Sequence, residues 1–406
     1  MEYRSNVMVK AVKKATDLIN EEEAIEFLIE LIKTNSMNPP GKEIKVAEAI
    51  QRRFKKTGID TTLDEVAEDR ANLFVTLPGE RGTGEKNIQK VLTYSGHLDT
   101  VPLGNEEWHY DPLGGVRDGN LLFGRGASDM KGGVAAMLLA LEYLHRADVK
   151  LKGKLRFVGS VGEEVECFGA KEIVRKGQID DTTAMIISEP SANQLFCAHK
   201  GDLQFEIIVK GKTAHGSMPE HGINSIQAMC NMINELNRFS FVYDEHYLLG
   251  GPTINIGTIE GGIKPNVVPD KCIMKIDIRT VPGQSHEHIF TQVNNLLQNT
   301  CDSYGTYGEI TVLVDMPAVT TSEEDPFTKL ALKTLNTYLN QDMPAKGVKY
   351  FTDGSVFYPH LKVPILVYGP GEPTMAHQTN EWIEVDKYLE SIRFFIVFAA
   401  EYLGVE

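Results

Sequence analysis

Carboxylates and imidazoles stand directly behind apolar runs at several separate points of this chain. His97 and Asp99 follow the run 91–95 in SGHLDTVP, and the adjacent pair Glu163 and Glu164 follows 155–161 in VGEEVEC. Glu189 follows 184–188 in SEPS, His377 follows 364–368 in GPGEPTMAH, and Asp129 in GRGASDMKGG precedes the helical pattern 131–147. Singly these residues are ordinary: a lone histidine is usually structural, and an aspartate before a helix is a cap. Gathered on one rim of one sheet, the carboxylates would repel strongly unless cations sat among them.

Imidazole with carboxylate suits zinc, and also cobalt or manganese. Two divalent ions sharing a bridging carboxylate need about five protein ligands, and His97, Asp129, Glu164, Glu189 and His377 supply them. Three carboxylates and two neutral imidazoles against two divalent ions leave one positive charge, which a bridging hydroxide cancels. Water held in this way can be acidified to a pKa of roughly 7. Asp99, two residues beyond His97, is placed to hold the other N–H of the imidazole. Neighbouring side chains of an extended segment point opposite ways. One glutamate of the adjacent pair therefore binds metal while the other stays free as general base. Sequence order alone leaves open which does which. Cys167 is a nearby soft donor that the carboxylates make unnecessary.

The elements that must position these groups alternate between strand and helix. Apolar runs at 73–77, 91–95, 155–161, 184–188 and 364–368 alternate with helical patterns at 44–57, 131–147 and 170–176. This predicts an α/β fold, a mostly parallel sheet with flanking helices. In such a sheet, ligands bind beyond the carboxyl ends of the strands. Between residues 201 and 318 the pattern changes to β-α-β-β-α-β, the ferredoxin-like split unit. The expected domains are 1–200 and 319–406 for the metal-binding part, with 201–318 inserted. The chain ends in a helix over 385–403.

A length of 406 residues favours two domains. The formal charge of −15 argues against nucleic acid or an anionic membrane as partner. Five cysteines without a CxxC pair fit a reducing cytoplasm. No signal peptide is expected from the first twenty residues, and no apolar run approaches the ~18 residues that span a bilayer.

From about residue 22 onward the chain resembles the M20 metallopeptidase family, the group of acetylornithine deacetylase, succinyl-diaminopimelate desuccinylase, aminoacylase-1 and glutamate carboxypeptidase. The resemblance rests on SGHLDTVP, GRGASDMKGGVAAM, GEEVECFGA, SEPS, GKTAHGSMPEHGINSI, GGIKPNVVPDKC, DIRTVPG and GPGEPTMAHQTNEW, all in family order. It implies that Asp129 bridges two metals, that His97 and Glu189 complete one site and that Glu164 and His377 complete the other. Glu163 is then the general base, Asp99 the family's aspartate after the histidine, and Asp129–Met130 a cis peptide. The inserted domain becomes a lid and a dimerisation surface. His215 becomes an oxyanion donor, and Asn266 and Arg279 become substrate contacts. On spacing alone, Asp277 is an equally good structural partner for Arg279.

The reading that follows is a dinuclear, zinc-type amide hydrolase of the deacetylase and desuccinylase kind. It would be a cytoplasmic homodimer acting on an N-acyl amino acid or short peptide. A carboxypeptidase or dipeptidase acting on carboxylate-bearing peptides is the alternative within the class. A non-catalytic binding protein and a dinuclear phosphoesterase are the alternatives outside it. The segment FTDGSVF departs from the GTSD-like form usual in desuccinylases, and Thr352, Asp353 and Ser355 are expected to line the pocket.

Overall fold

A computed structural model describes residues 2–79 and 89–406, with side chains described from residue 7. Contacts divide the chain into two compact units. One comprises Met1–Ala198, Thr320–Gly347 and Thr352–Glu406; the other comprises His199–Val319 with Val348–Phe351.

In the larger unit the strands Lys154–Ser160, Val91–His97, Ala184–Ile187 and Ile365–Val367 lie side by side and parallel. Antiparallel neighbours flank them, Arg70–Leu77 with Asp60–Ala67 on one side and Phe196–His199 on the other. Val91–His97 is buried along its whole length, which explains why it reads as a continuous apolar run rather than an alternation. Its register pairs His97 with Ser160 and Ser95 with Ile187, and Ile187 in turn pairs with Val367. The four carboxyl ends therefore finish near one level.

Two helices hold this sheet from one side. Gly132–Arg146 is buried from Gly132 to Leu144, an all-round apolar helix of the kind found inside a core. It packs on Val385–Leu403, whose Phe395 carbonyl accepts a 2.7 Å hydrogen bond from the Tyr94 hydroxyl of the central strand. The smaller unit has a core of its own. Its strands Gly201–Lys210, Thr253–Gly261, Lys271–Thr280 and Tyr307–Met316 form one antiparallel sheet. Leu203, Phe205, Ile207 and Val209 alternate inward against the helices Ser225–Leu236 and His286–Tyr304. Asn224 and Ser285 cap those helices with their side chains.

Several elements lie outside the sequence expectation. Asp60–Ala67 is a polar edge strand, and its hydrophilic composition hides it. Gly354–Leu361 contains Pro359, a residue that ordinarily argues against a helix. The helix Pro326–Leu339, by contrast, carries a readable start, since Asp325 caps Phe327 N and proline stands at the first position. Among the described residues no helix is long and apolar enough to cross a membrane.

The start of Gly132–Arg146 passes so close to the strand end at Ser188 that a Cβ on Gly133 would meet the Ser188 carbonyl oxygen inside contact distance. Gly133→Ala should therefore cost about 1–3 kcal/mol in a urea melt and lower metal uptake by displacing Glu189. A wild-type midpoint and wild-type uptake would show that this approach does not constrain the rim.

Candidate metal centre

The candidate residues stand where the parallel strands end. His97 closes its strand, and Glu189 lies two residues beyond the strand Ala184–Ile187. After Lys154–Ser160 the chain turns at Gly162, which has φ +70°, and a Cβ there would lie 2.7 Å from a nitrogen of Arg70. Only glycine suits that turn. Glu163 and Glu164 consequently open a single helical turn, Glu163–Glu166, instead of continuing an extended segment. Their side chains diverge by about 100° rather than lying on opposite faces. Asp129 lies in an irregular loop before Gly132–Arg146, and the Asp129–Met130 bond is cis. His377 has φ +63° and a half-exposed ring.

Asp129 sits between two imidazoles. Its Oδ1 is 3.0 Å from Nε2 of His97, and its Oδ2 is 3.4 Å from Nε2 of His377. The same His97 nitrogen lies 3.9 Å from Oε2 of Glu189, and the same His377 nitrogen lies 2.9 Å from Oε2 of Glu164. Donor atoms of His97, Asp129 and Glu164 fall within 4.8 Å of one another, as do those of His97, Glu163 and Glu189. Each oxygen of Asp129 thus faces a different ring, the arrangement of a ligand shared by two ions. Oε1 of Glu164 is buried without a hydrogen-bond partner, an orphaned acceptor that a cation would satisfy. Carboxylate and imidazole donors without a thiolate suit a first-row divalent ion. Cys167 joins neither group, and its thiol donates weakly to the Glu163 carbonyl at 3.9 Å.

The electrostatics follow from burial. Burial raises Glu163, Glu189 and Glu164, and neighbouring carboxylates add to the effect. Burial works against a charged His97 ring, but the Asp129 hydrogen bond and the surrounding acids outweigh it and raise the group. Hydrogen bonds to Asp129 and Glu164 push His377 up to about 10. Burial would raise Asp129 as well, yet the two imidazoles hold it below the usual carboxylate range. Acidic groups thus outnumber basic ones around the two rings, and the pocket favours positive charge.

Asp99 departs from the sequence expectation. Nδ1 of His97 is 3.0 Å from the backbone carbonyl of Asp99 and 3.6 Å from its carboxylate. A carbonyl can only accept, so this bond puts the proton on Nδ1 and leaves the Nε2 lone pair for a metal. The carboxylate is drawn elsewhere, to the free amides that open the next helical turn. It accepts from Glu163 N at 3.2 Å, Glu164 N at 3.3 Å and Asn38 Nδ2 at 3.0 Å.

Of the late loop, Thr352, Asp353 and Ser355 are all buried. Asp353 accepts a very short hydrogen bond from the hydroxyl of Ser160 and so braces the strand end. In the smaller unit, the Arg279 fork engages Asp277 through Nε and Nη2 at 2.8 Å each, and Nη2 is also 3.3 Å from Asp202. This is the structural partner that the spacing allowed. His215 is exposed in a loop, its Nδ1 2.8 Å from Ser217 Oγ, and Asn266 is exposed beside it, accepting from Gly216 N.

Sequence reasoning missed Glu381. Its carboxylate is fully buried, with Arg125 at 2.8 Å and three backbone amides of the Asp129 loop around it. Burial pushes it up to about 7 against the pull of Arg125 and those amides. Its only signal was its place in GPGEPTMAHQTNEW, four residues after His377.

Comparison with known proteins places the chain in a family. A probable succinyl-diaminopimelate desuccinylase of Staphylococcus epidermidis is 30% identical over 407 residues, covering 92% of this chain and 96% of that protein. The aminopeptidase PepT of Bacillus cereus superposes with a TM-score of 0.78 at 21% identity, covering 94% of this chain and 99% of that one. The Bacillus subtilis YXEP protein, described as a dinuclear metal-binding peptidase of the M20 family, superposes with a TM-score of 0.73 at 17% identity, covering 94% and 98%. The sequence profile of peptidase family M20/M25/M40 matches residues 93–401, most of the chain, and the protein belongs to that family.

Proposed function

We propose that the chain, an amide-bond hydrolase by its family, removes the acyl group from an N-acyl amino acid using two divalent ions, zinc first among them. The observation that carries this reading is Asp129, with each carboxylate oxygen against a different imidazole and a further glutamate beside each ring. His97 and Glu189 would hold one ion, Glu164 and His377 the other, and Asp129 both. Bound there, the ions would acidify a water and polarise the scissile carbonyl.

The chain's own residues supply the remaining chemistry. Asp99 holds the ring of His97 by its carbonyl and the turn of Glu163 and Glu164 by its carboxylate. Glu163, buried beside His97 and Glu189, accepts a proton from the attacking water on a carboxylate oxygen and passes it to the leaving nitrogen. Burial raises its affinity for that proton, which suits a base that must also act as an acid. To His215 we assign the oxyanion and to Asn266 the substrate, both on the family resemblance. To Arg279 we assign a substrate carboxylate on the same resemblance; its Nη1 lies outside the contacts to Asp277 and Asp202.

The test is amine release by the zinc- or cobalt-loaded protein from a matched panel of N-acetylornithine, N-succinyl-diaminopimelate, other N-acyl amino acids and dipeptides. Preference for an acylated amino acid is the expected result; preference for dipeptides would move the activity to the peptidase branch. Glu163→Ala should keep two bound ions while kcat falls roughly 10²–10⁴-fold; loss of an ion instead would exchange the roles of Glu163 and Glu164. Zinc at a hundred times its Kd should raise the unfolding free energy by about 2.7 kcal/mol per site, read as a shift of the thermal midpoint, and an unmoved midpoint would count against a metal centre.

A further inference from the structure

We propose that Glu381 is a positioning residue for the shared ligand, clamping the Asp129 loop so that the affinities of both metal sites rise and fall together. Oε1 of Glu381 accepts from Ser128 N at 2.8 Å and from Asp129 N at 2.9 Å. Oε2 accepts from Gly126 N at 2.8 Å and from Arg125 Nη1 at 2.8 Å. One carboxylate thus gathers three amides of a single loop, including the amide of the residue that faces both imidazoles. Its backbone carbonyl adds a further tie, accepting from Gly124 N at 2.9 Å.

This loop has no regular ladder of its own. Residues 129 and 130 depart from helical dihedrals, and Gly126 has φ +83°. Without an acceptor, its amides would be buried and unpaired, which a fold avoids. A charged acceptor makes the shorter and stronger bonds. An amide in its place would turn an N–H toward Gly126 and Arg125, which are both donors. Arg125 is itself held by the carbonyls of Gln378 and Pro102, each at 3.2 Å, so the clamp cannot swing with its counter-ion. Glu381 also lies on the segment that carries His377. The residue that fixes the shared ligand is therefore built into the strand of chain that supplies a ligand to one site alone.

The inference rests on Asp129 being the shared ligand. Cobalt chloride is titrated into metal-free wild type, Glu381→Gln and Tyr388→Phe, followed by the visible bands of bound Co2+ and by metal content after gel filtration. Tyr388→Phe removes a buried hydrogen bond to Ala24 and serves as the control for general destabilisation. Glu381→Gln should weaken both equivalents by roughly 10–100-fold with altered bands, while Tyr388→Phe keeps wild-type affinity at a comparable drop in thermal midpoint. Wild-type affinity in Glu381→Gln, or weakening of only one equivalent, would overturn the clamp. A wild type that binds fewer than two ions would instead overturn the shared-ligand reading. Should Glu381→Gln fail to fold, hydrogen exchange of metal-free wild type decides: the clamp requires protected amides at 126, 128 and 129, and unprotected exchange there rules it out.

Discussion

Repulsion among buried carboxylates is the constraint around which the larger unit is arranged. Asp129, Glu163, Glu164 and Glu189 converge on the same two imidazoles. Two like charges ~4 Å apart cost about 1 kcal/mol in water and several times that near or inside a protein. The groups are kept together because each is anchored to an element that cannot relax away. His97 ends a fully buried central strand, Glu163 and Glu164 follow a turn that only glycine permits, and Asp129 precedes a helix sunk in the core. A fold that left these acids on mobile loops would spread them apart. This one retains a demand for positive charge.

Much of the support comes from residues that touch neither imidazole. Asp353 grips Ser160 at the end of the strand that leads to Glu163. Arg70 is forked onto buried Glu43 at 3.0 and 2.5 Å and also fills the space beside Gly162. Asn38 braces Asp99. These contacts set where the ligand atoms stand, and outer contacts of this kind commonly change metal affinity by 10–100-fold. Rigidity in the site is thus the product of a surrounding polar frame as well as of the sheet.

What was legible in the sequence and what was not follow from the range of the interactions. The parallel strands were readable because burial on both faces writes itself as an apolar run, as in Val91–His97. The split unit was readable because Leu203, Phe205, Ile207 and Val209 alternate. The candidate residues that the structure brings together were legible because several acids and histidines follow successive apolar runs. Partnerships made through the backbone were invisible. That Asp99 would give its carbonyl to His97 and its carboxylate to two amides depends on the turn at Gly162, which lies 63 residues away in the chain. Glu381 was hidden for the same reason, since the amides it gathers carry no side-chain signature. Thr352, Asp353 and Ser355 were expected at the pocket from the likeness of FTDGSVF to a substrate loop; that all three are buried was not legible in the segment itself.

Asp99 also bears on how the site tolerates thermal motion. The imidazole of His97 and the turn bearing Glu163 and Glu164 are both hung from this single residue, one on its carbonyl and the other on its carboxylate. A small displacement of the strand end therefore carries the ring and the two glutamates in the same direction. Errors in their separation cancel instead of accumulating. A breathing sheet can then shift the whole assembly against solvent while the spacing between the glutamates and the ring changes little.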